Sequence, residues 1–145
     1  MEREEFQIFE LLKRLSDTME KKANSDLQSN DITASQLKML LAVVHSEGSY
    51  EKGEMPLKEL ERRFGVAQST AAGIIQRLEK KKLVESVTDK DDKRIKIVRI
   101  TDSGRNICSH VMNSMDENHK RILKGFTKEE KQAFRDMLQK MINNS

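Results

Sequence analysis

The spacing of apolar residues changes from a helical to a strand pattern near Leu83, and that change limits the folds this chain can adopt. Before this point apolar residues recur every three or four positions, as on helices that bury one face. Segments 83–87 and 95–100 are instead rich in Val and Ile, which favours two short strands. The polar segment 88–94 between them predicts a hairpin with a charged tip.

Two short helices are predicted immediately before this hairpin. Pro56 opens the first and Gly65 ends it, as Pro and Gly commonly do at helix ends. The second is predicted over 68–82, and its buried face comprises Ala71, Ile74, Ile75 and Leu78. Two helices joined by a tight turn form a helix-turn-helix, and the hairpin that follows makes it a winged one.

Short local patterns predict where two further helices begin and where one ends. Segments 33–36 and 127–130 have the spacing of a capping box, in which two residues each satisfy a backbone amide of the other. Gly48 is expected to end the helix that begins at the first box. Residues 47–55 are expected to form a polar loop.

Long helices are predicted at 2–30, 102–124 and 128–143, each with an apolar stripe. Only 36% of the 145 residues are apolar, and a domain this small cannot cover all three stripes. We therefore expect a second copy of the chain to complete the core. The residues predicted at that dimer interface are Phe6, Ile8, Phe9, Leu12, Leu15, Phe134, Met137, Leu138, Met141 and Ile142.

Together these elements predict a mainly α fold of the α+β class. A winged helix-turn-helix at 33–101 would be flanked by a helical dimerisation region made of 1–32 and 102–145. Since no Gly-, Ser- or Pro-rich linker separates the parts, we expect one continuous domain.

The net charge of +3 hides an uneven distribution of charged residues. Residues 1–56 carry 7 basic and 11 acidic side chains, whereas residues 57–101 carry 12 basic and 7 acidic ones. Residues 102–145 carry 8 basic and 6 acidic side chains. The positive excess therefore falls on the winged helix-turn-helix, where a phosphate backbone would be met.

Several classes of protein are excluded or disfavoured by what the sequence lacks. It has no phosphate-binding loop, no His-Glu-x-x-His and no nucleophile elbow, so we predict no enzyme and no catalytic residue. Cys108 is expected to pack in the core. Since Cys108 and His110 point to nearly opposite sides of their helix, they cannot easily share a metal ion, and no metal or cofactor is predicted. No apolar run approaches a membrane span, and no signal core follows Met1.

Five segments are similar, in order, to motifs of one family of regulators. They are Ile32-Thr33 with Gln36, residues 57–66, residues 68–70 followed by 74–79, residues 82–84, and Asp92-Lys93-Arg94 followed by Arg99-Ile100-Thr101. In these segments the chain resembles the MarR family of bacterial transcriptional regulators. It departs from the family's pattern at Ala67, at Ala72-Gly73 inside the second short helix, and at Lys82, where the family usually has Gly.

The resemblance implies a function and a way of working. Family members are homodimers that bind palindromic operators, commonly as repressors that a small, often aromatic, ligand releases. A cytoplasmic bacterial protein, associated with the nucleoid when bound, is implied, with no membrane partner. For the wing signature, the resemblance implies that Arg94 reaches the minor groove of DNA and that Asp92 helps to hold the wing in place. The ligand-binding residues remain unknown.

The second short helix of the pair is expected to enter the major groove of double-stranded DNA. Gln68 and Gln76 are the best candidates to contact bases, because an amide pairs with adenine through two hydrogen bonds. Ser69, Thr70, Arg77 and Lys80 are expected to contact phosphates. The full set of predicted DNA-binding residues is Gln68, Ser69, Thr70, Ala72, Gly73, Gln76, Arg77, Lys80, Lys90, Asp92, Lys93 and Arg94.

Two other functions stay open at this stage. A winged helix can serve as a protein-interaction module, since a fold does not determine a function. A regulator that senses a metal or a redox change through its Cys or His residues is the other alternative. RNA binding is disfavoured, because the chain has no Trp, one Tyr and no evident aromatic platform for stacking bases.

Overall fold

The computed structural model describes residues 3–46, 53–65 and 68–145. The predicted stop at Gly48, the Ala67 position and most of the predicted loop at 47–55 lie outside these ranges. Within them the order of elements is α1 (Arg3–Ser29), α2 (Ala34–Val44), β1 (Glu54–Pro56), α3 (Leu57–Phe64), α4 (Gln68–Lys80), β2 (Val84–Thr88), β3 (Lys96–Ile100), α5 (Asp102–Ile122) and α6 (Lys128–Asn144). The mainly α, winged helix-turn-helix fold is confirmed.

The two predicted capping boxes and the Gly65 helix end are present, but α2 ends at Val44 with His45 as its C-cap, earlier than the stop predicted at Gly48. The Thr33 hydroxyl accepts from the Gln36 amide at 3.1 Å, and the Gln36 side chain accepts from the Thr33 amide at 3.4 Å. The second capping box, at 127–130, is formed in the same way and starts α6. Gly65 ends α3 in the left-handed conformation, with φ of 57°. These features involve residues close in sequence, which is why the sequence alone reveals them.

The loop predicted over 47–55 is wrong at its end, where Glu54 and Met55 belong to strand β1. This strand pairs antiparallel with β3, so the sheet has three strands in the order β1-β3-β2. Pro56 is the last residue of the strand and the N-cap of α3, which begins one residue later than predicted. A three-residue strand shows no periodicity, and it exists here because β3 supplies its hydrogen bonds.

The core lies where α2, α3 and α4 pack together with the sheet. Among the described residues, the largest fully buried side chains are Met39, Leu40, Leu60, Ile75, Leu78, Val43, Val98 and, on α5, Val111. Helix α4 is thereby held on one side by the core and is exposed on the other.

By its internal contacts the chain divides into two compact units, Met1–Asn113 and Ser114–Ser145. The first contains the sheet and helices α1 to α4, and the second contains α6. Helix α5 begins in the first unit and ends in the second. The predicted division into 1–32 with 102–145 and 33–101 stays a prediction.

Candidate nucleic-acid interface

Helix α4 has one buried and one exposed face, as its sequence predicts. Ala71, Ile75 and Leu78 are almost completely buried, and Ile74 is half-buried. The exposed positions among the predicted DNA-binding residues of this helix are Ser69, Thr70, Gln76, Arg77 and Lys80. Gln68 opens the helix, but its side chain is not described. The exposed residues therefore form one polar, basic surface on a helix that the core holds in place.

Gly73 leaves a gap in the side chains along this surface. A Cβ atom built at Gly73 would have as its only described neighbour the Arg77 guanidinium, whose Nη1 lies 3.9 Å away. The position does not have a positive φ, so neither packing nor backbone conformation within the described residues requires glycine there. With Ala72 beside it, Gly73 lets the backbone of α4 come close to whatever lies against this face.

Helix α4 ends at Lys80, two residues before the predicted end at 82. The amides of Lys82 and Leu83 bond back to the carbonyls of Glu79 and Leu78, at 2.9 and 3.0 Å, which is a Schellman ending. Lys82 takes the left-handed conformation, with φ of 60°, that such an ending requires. The position at which the family pattern usually has Gly is therefore strained for a lysine.

The tip of the wing is an ordered turn held by its own acidic side chains. The Asp89 carboxylate accepts hydrogen bonds from the backbone amides of Asp91 and Asp92, at 3.1 and 3.0 Å. The Asp89 amide donates to the Ile95 carbonyl, and the Ile95 amide donates to the Asp92 carbonyl, both at 3.0 Å. These bonds fix the path of the chain through the tip, so its basic side chains start from defined positions.

Arg94 and Asp92 form a bidentate ion pair on this turn. The Arg94 Nε and Nη2 atoms each donate to one Asp92 oxygen at 3.0 Å, and the Arg94 backbone amide donates to Oδ1 at 3.0 Å. These bonds lower the pKa of the Asp92 carboxyl, the side-chain bonds contributing most, and the pair raises the pKa of Arg94. The Arg94 side chain nevertheless stays 91% exposed, so its other N–H donors face solvent.

A second ion-pair cluster crosses the sheet at the base of the wing. Arg99 on β3 lies opposite Glu54 on β1 and Glu85 on β2. Its guanidinium contacts the Glu54 carboxylate at 2.6 Å and the Glu85 carboxylate at 3.5 Å. Both interactions raise the pKa of Arg99, that with Glu54 more strongly. Arg99 therefore links the three strands through its ion pairs, and it is not a good candidate for contact with a ligand.

Basic side chains of the 57–101 region fall into two groups according to whether an acidic partner is present. Arg62 and Arg63 are paired with Glu59, and their hydrogen bonds lower the pKa of that carboxyl. Those without an acidic partner among the described residues are Lys58, Arg77, Lys80, Lys82, Lys90, Lys93 and Lys96. Apart from Lys58 on α3, all of the second group lie on α4, in the turn after it or on the wing. Lys82 and Lys96 were not among the predicted contacts, although the density of lysines at both places was visible in the sequence.

The predicted dimer residues lie on helices that bury little within one chain. No described residue of α1 or α6 is buried. Phe9 and Ile142 are each 63% exposed. Phe6, Ile8, Leu15 and Met137 are exposed, while Leu12, Phe134, Leu138 and Met141 are half-buried. Leu11, which was not in the predicted set, is also exposed.

The structure gives Cys108 the surroundings of a core residue. The side chain is buried, and burial raises the pKa of its thiol despite the opposing charge of Arg105. A raised pKa reduces the thiolate fraction on which oxidation depends. Among the described residues no three His, Cys, Asp or Glu side chains come together in a way that would hold a metal ion. No helix in the described ranges combines the length and apolar character that a membrane span needs.

Residues 30–95 match the sequence model of the MarR family. Over this segment the chain is similar to the MarR family. Over 92 residues, this chain is 33% identical to the HTH-type transcriptional regulator YsmB of Bacillus subtilis. It is 27% identical, also over 92 residues, to the HTH-type transcriptional regulator YwaE of the same organism. Each match covers 63% of this chain, and it spans 63% of YsmB and 54% of YwaE, less than two thirds of either.

Similarity to solved structures extends over the whole MarR-type fold. The Bacillus subtilis YusO protein superimposes with a TM-score of 0.84 over 100% of both chains, at 20% identity. The S. aureus MepR–DNA complex gives a TM-score of 0.80 at 23% identity, with 92% of this chain and 96% of that one covered. At such low identity these likenesses establish the fold alone.

Proposed function

We propose that this chain is a sequence-specific, DNA-binding transcriptional regulator without enzymatic activity. The observation that carries the proposal is the set of six basic side chains, on α4, the turn after it and the wing, that have no acidic partner among the described residues. Basic side chains on an ordered surface attract a polyanion such as DNA. Binding is favourable because neutralising the phosphates releases their condensed counterions. Similarity to the MarR family and to HTH-type transcriptional regulators supports the same function.

In this proposal α4 enters the major groove with its exposed face toward the bases. Gln76 would contact a base, with Gln68 as a second candidate at the start of the helix. Ser69, Thr70, Arg77 and Lys80 would contact phosphates and set the register, and Ala72 and Gly73 would allow close approach. Lys90 and Lys93 on the wing would contact the backbone, while Asp92 orients Arg94 toward the minor groove.

The proposal also includes a homodimer and a palindromic operator. The exposed apolar side chains on α1 and α6 support dimerisation, since groups such as Phe9 and Ile142 gain roughly 1.5–3 kcal/mol each when fully buried. A two-fold dimer repeats its recognition helix about one DNA turn away, so its operator should be palindromic.

Release by a small molecule and action as a repressor complete the proposal, and both come from the family resemblance. Such a regulator would work in the cytoplasm, on the nucleoid when bound to its operator. A redox mechanism through Cys108 is disfavoured by the burial and raised pKa of that thiol.

The first test is selection of duplexes from a random library by the purified protein, followed by a salt titration. We expect a palindromic site bound with Kd on the order of 10⁻⁸ M. If about three of the six unpartnered cations in each protomer contact phosphates, the slope of log K against log salt should be about −5. A slope near zero, or equal affinity for every duplex, would contradict a specific regulator and favour a protein-interaction module.

The second test concerns the dimer and needs no DNA. Sedimentation equilibrium at micromolar concentration should give twice the 16.8 kDa mass of one chain. The apolar surface on α1 and α6 is the physical reason, because water contact with it is costly. A monomer at this concentration would remove the basis for a palindromic operator.

A further inference from the structure

Lys81 joins the ends of three helices. It is the residue just past the last turn of α4, and its side chain is 29% exposed. Its ammonium donates to the backbone carbonyl of Asp31 and, at 3.0 Å, to the side-chain oxygen of Gln36. Asp31 follows α1, and Gln36 lies in the first turn of α2.

Both acceptors of this ammonium have fixed positions. Asp31 is in the left-handed conformation, with φ of 51°, inside a Schellman ending in which the Ile32 amide bonds to the Leu27 carbonyl at 3.1 Å. Gln36 is 4% exposed, and the same oxygen accepts from the Thr33 amide in the capping box. Lys81 therefore connects a rigid end of α1 to a rigid end of α4.

Lys81 differs in this respect from the cations around it. Its neighbours Lys80 and Lys82 have no acidic partner among the described residues. The Lys81 ammonium instead donates to a carbonyl and an amide oxygen within the fold and lies 4.0 Å from the exposed Asp31 carboxylate. A hydrogen bond from a charged donor to a partly buried acceptor is stronger than one between neutral groups. The ammonium of Lys81 therefore stabilises the contact between the ends of α1, α2 and α4, and we do not expect it to contact a phosphate.

We propose that Lys81 is a positioning residue that fixes the angle between α1 and α4, and through it the spacing of the two recognition helices in the dimer. This inference rests on the proposed function. Helix α1 has 27 residues, which makes it about 40 Å long at 1.5 Å per residue. A change of about 5° at its Asp31 end displaces its other end by about 3.5 Å, close to the 3.4 Å rise of one base pair.

The test compares Lys81→Met with Lys80→Met, which removes the same charge one residue earlier from an exposed position. The probes are the duplex that the wild-type protein selects and two versions of it, with one base pair added or removed between the half-sites. In Lys81→Met we expect about tenfold weaker binding to the selected duplex, nearly equal affinities for the three spacings, and an unchanged salt slope. Lys81→Arg keeps a charged donor and should restore the spacing preference.

Lys80→Met should instead weaken binding to all three duplexes equally and make the salt slope less negative by about 1 to 2, since each dimer loses two phosphate contacts. Lys81→Met would overturn the inference in either of two ways. A reduced salt slope would make Lys81 a phosphate contact. An equal loss at all three spacings would make its role merely structural.

A second measurement tests the position of the helices without DNA. Spin labels are placed at Gln28 on α1 and Gln76 on α4, with Cys108 replaced by Ala, and labelled chains are diluted into unlabelled protein. The distance distribution between the labels should broaden in Lys81→Met, recover in Lys81→Arg and stay unchanged in Lys80→Met. An unchanged distribution in Lys81→Met would overturn the inference even if the protein bound DNA. If the wild-type selected no duplex, the proposed function would fail and this measurement would still decide the role of Lys81.

Discussion

Replacing Gly104 by alanine is expected to lower the free energy of unfolding by about 2–3 kcal/mol, near the upper end for overpacking a core. Gly104 lies buried in the first turn of α5. A Cβ atom there would overlap the Leu83 carbonyl oxygen and come within 2.8 Å of Ile100 Cγ1. The better helix propensity of alanine offsets only about 0.5–1 kcal/mol of this cost.

The Leu83 carbonyl cannot move away cheaply, because the start of α5 is bonded to the same segment. The Leu83 oxygen accepts from the Thr101 amide at 3.1 Å, and the Thr101 hydroxyl donates to the Lys82 carbonyl at 2.7 Å. The same hydroxyl accepts from the Gly104 amide at 3.1 Å. Room for a methyl group would therefore require breaking the cap of α5 or shifting β2.

Gly73→Ala is the matched control, since it makes the same chemical change in a helix with open space. Its Cβ would have only the Arg77 Nη1 atom nearby, at 3.9 Å, so the variant should gain about 0.5–1 kcal/mol. Urea denaturation at one fixed protein concentration measures both variants, because dimerisation makes stability depend on concentration. A gain in stability in both variants would show that the packing around Gly104 leaves room for a methyl group, and a loss in both would show that Gly73 is not in open space.

Gly73→Ala also has a second readout, its affinity for DNA. If the backbone of α4 approaches the duplex at Gly73, the variant should be more stable and yet bind its site less tightly. Glycine inside a helix is otherwise unfavourable, and nothing within the described residues around Gly73 requires it. A variant that is more stable and binds as well as the wild type would place the duplex away from this position.

How much could be predicted from the sequence depended on how far apart the interacting residues lie. The two capping boxes and the Gly65 helix end involve residues within four positions of each other, and their predictions were confirmed. The buried face of α4 was also predicted correctly, because helical periodicity is a property of the segment itself.

Features that depend on distant residues were missed. Strand β1 exists because β3 pairs with it, and the paired residues lie far apart in the sequence. Glu54 faces Arg99, 45 positions later, and Pro56 faces Ile97, 41 positions later. Lys81 binds an Asp31 carbonyl 50 positions away, and a backbone carbonyl has no signature in the sequence. The end of α4 at Lys80 was missed because the left-handed residue after it is Lys82 and not a glycine.

Replacing Arg94 by alanine should weaken binding to the selected duplex by about 100-fold while leaving the fold intact. Each dimer loses two guanidinium groups, and a good Arg contact is worth roughly 1–3 kcal/mol. The side chain is 91% exposed and, among the described residues, bonds only to Asp92, so no core contact is lost. Fluorescence anisotropy measures the affinity, and circular dichroism checks that the helical content is unchanged. Unchanged affinity would remove Arg94 from the interface.

Asp92→Ala separates the two roles of the pair. If Asp92 acts by orienting Arg94, its removal should weaken binding in the wild-type background and have little further effect in Arg94→Ala. If Asp92 instead stabilises the whole tip, binding should fall by a similar factor in both backgrounds, because its carboxylate bonds the Arg94 backbone amide as well as the side chain.

Duplexes that differ only in the base pairs beside the half-site distinguish two roles for Arg94, binding in the minor groove and contact with a phosphate. A narrow A·T minor groove concentrates negative potential and favours the planar guanidinium over an ammonium group. Arg94→Ala should therefore cost more on a duplex with A·T pairs under the wing than on one with G·C pairs there, and Arg94→Lys should recover only part of the difference. Equal losses on both duplexes, with full recovery by lysine, would instead make Arg94 a phosphate contact, and the wing would then add affinity without adding specificity.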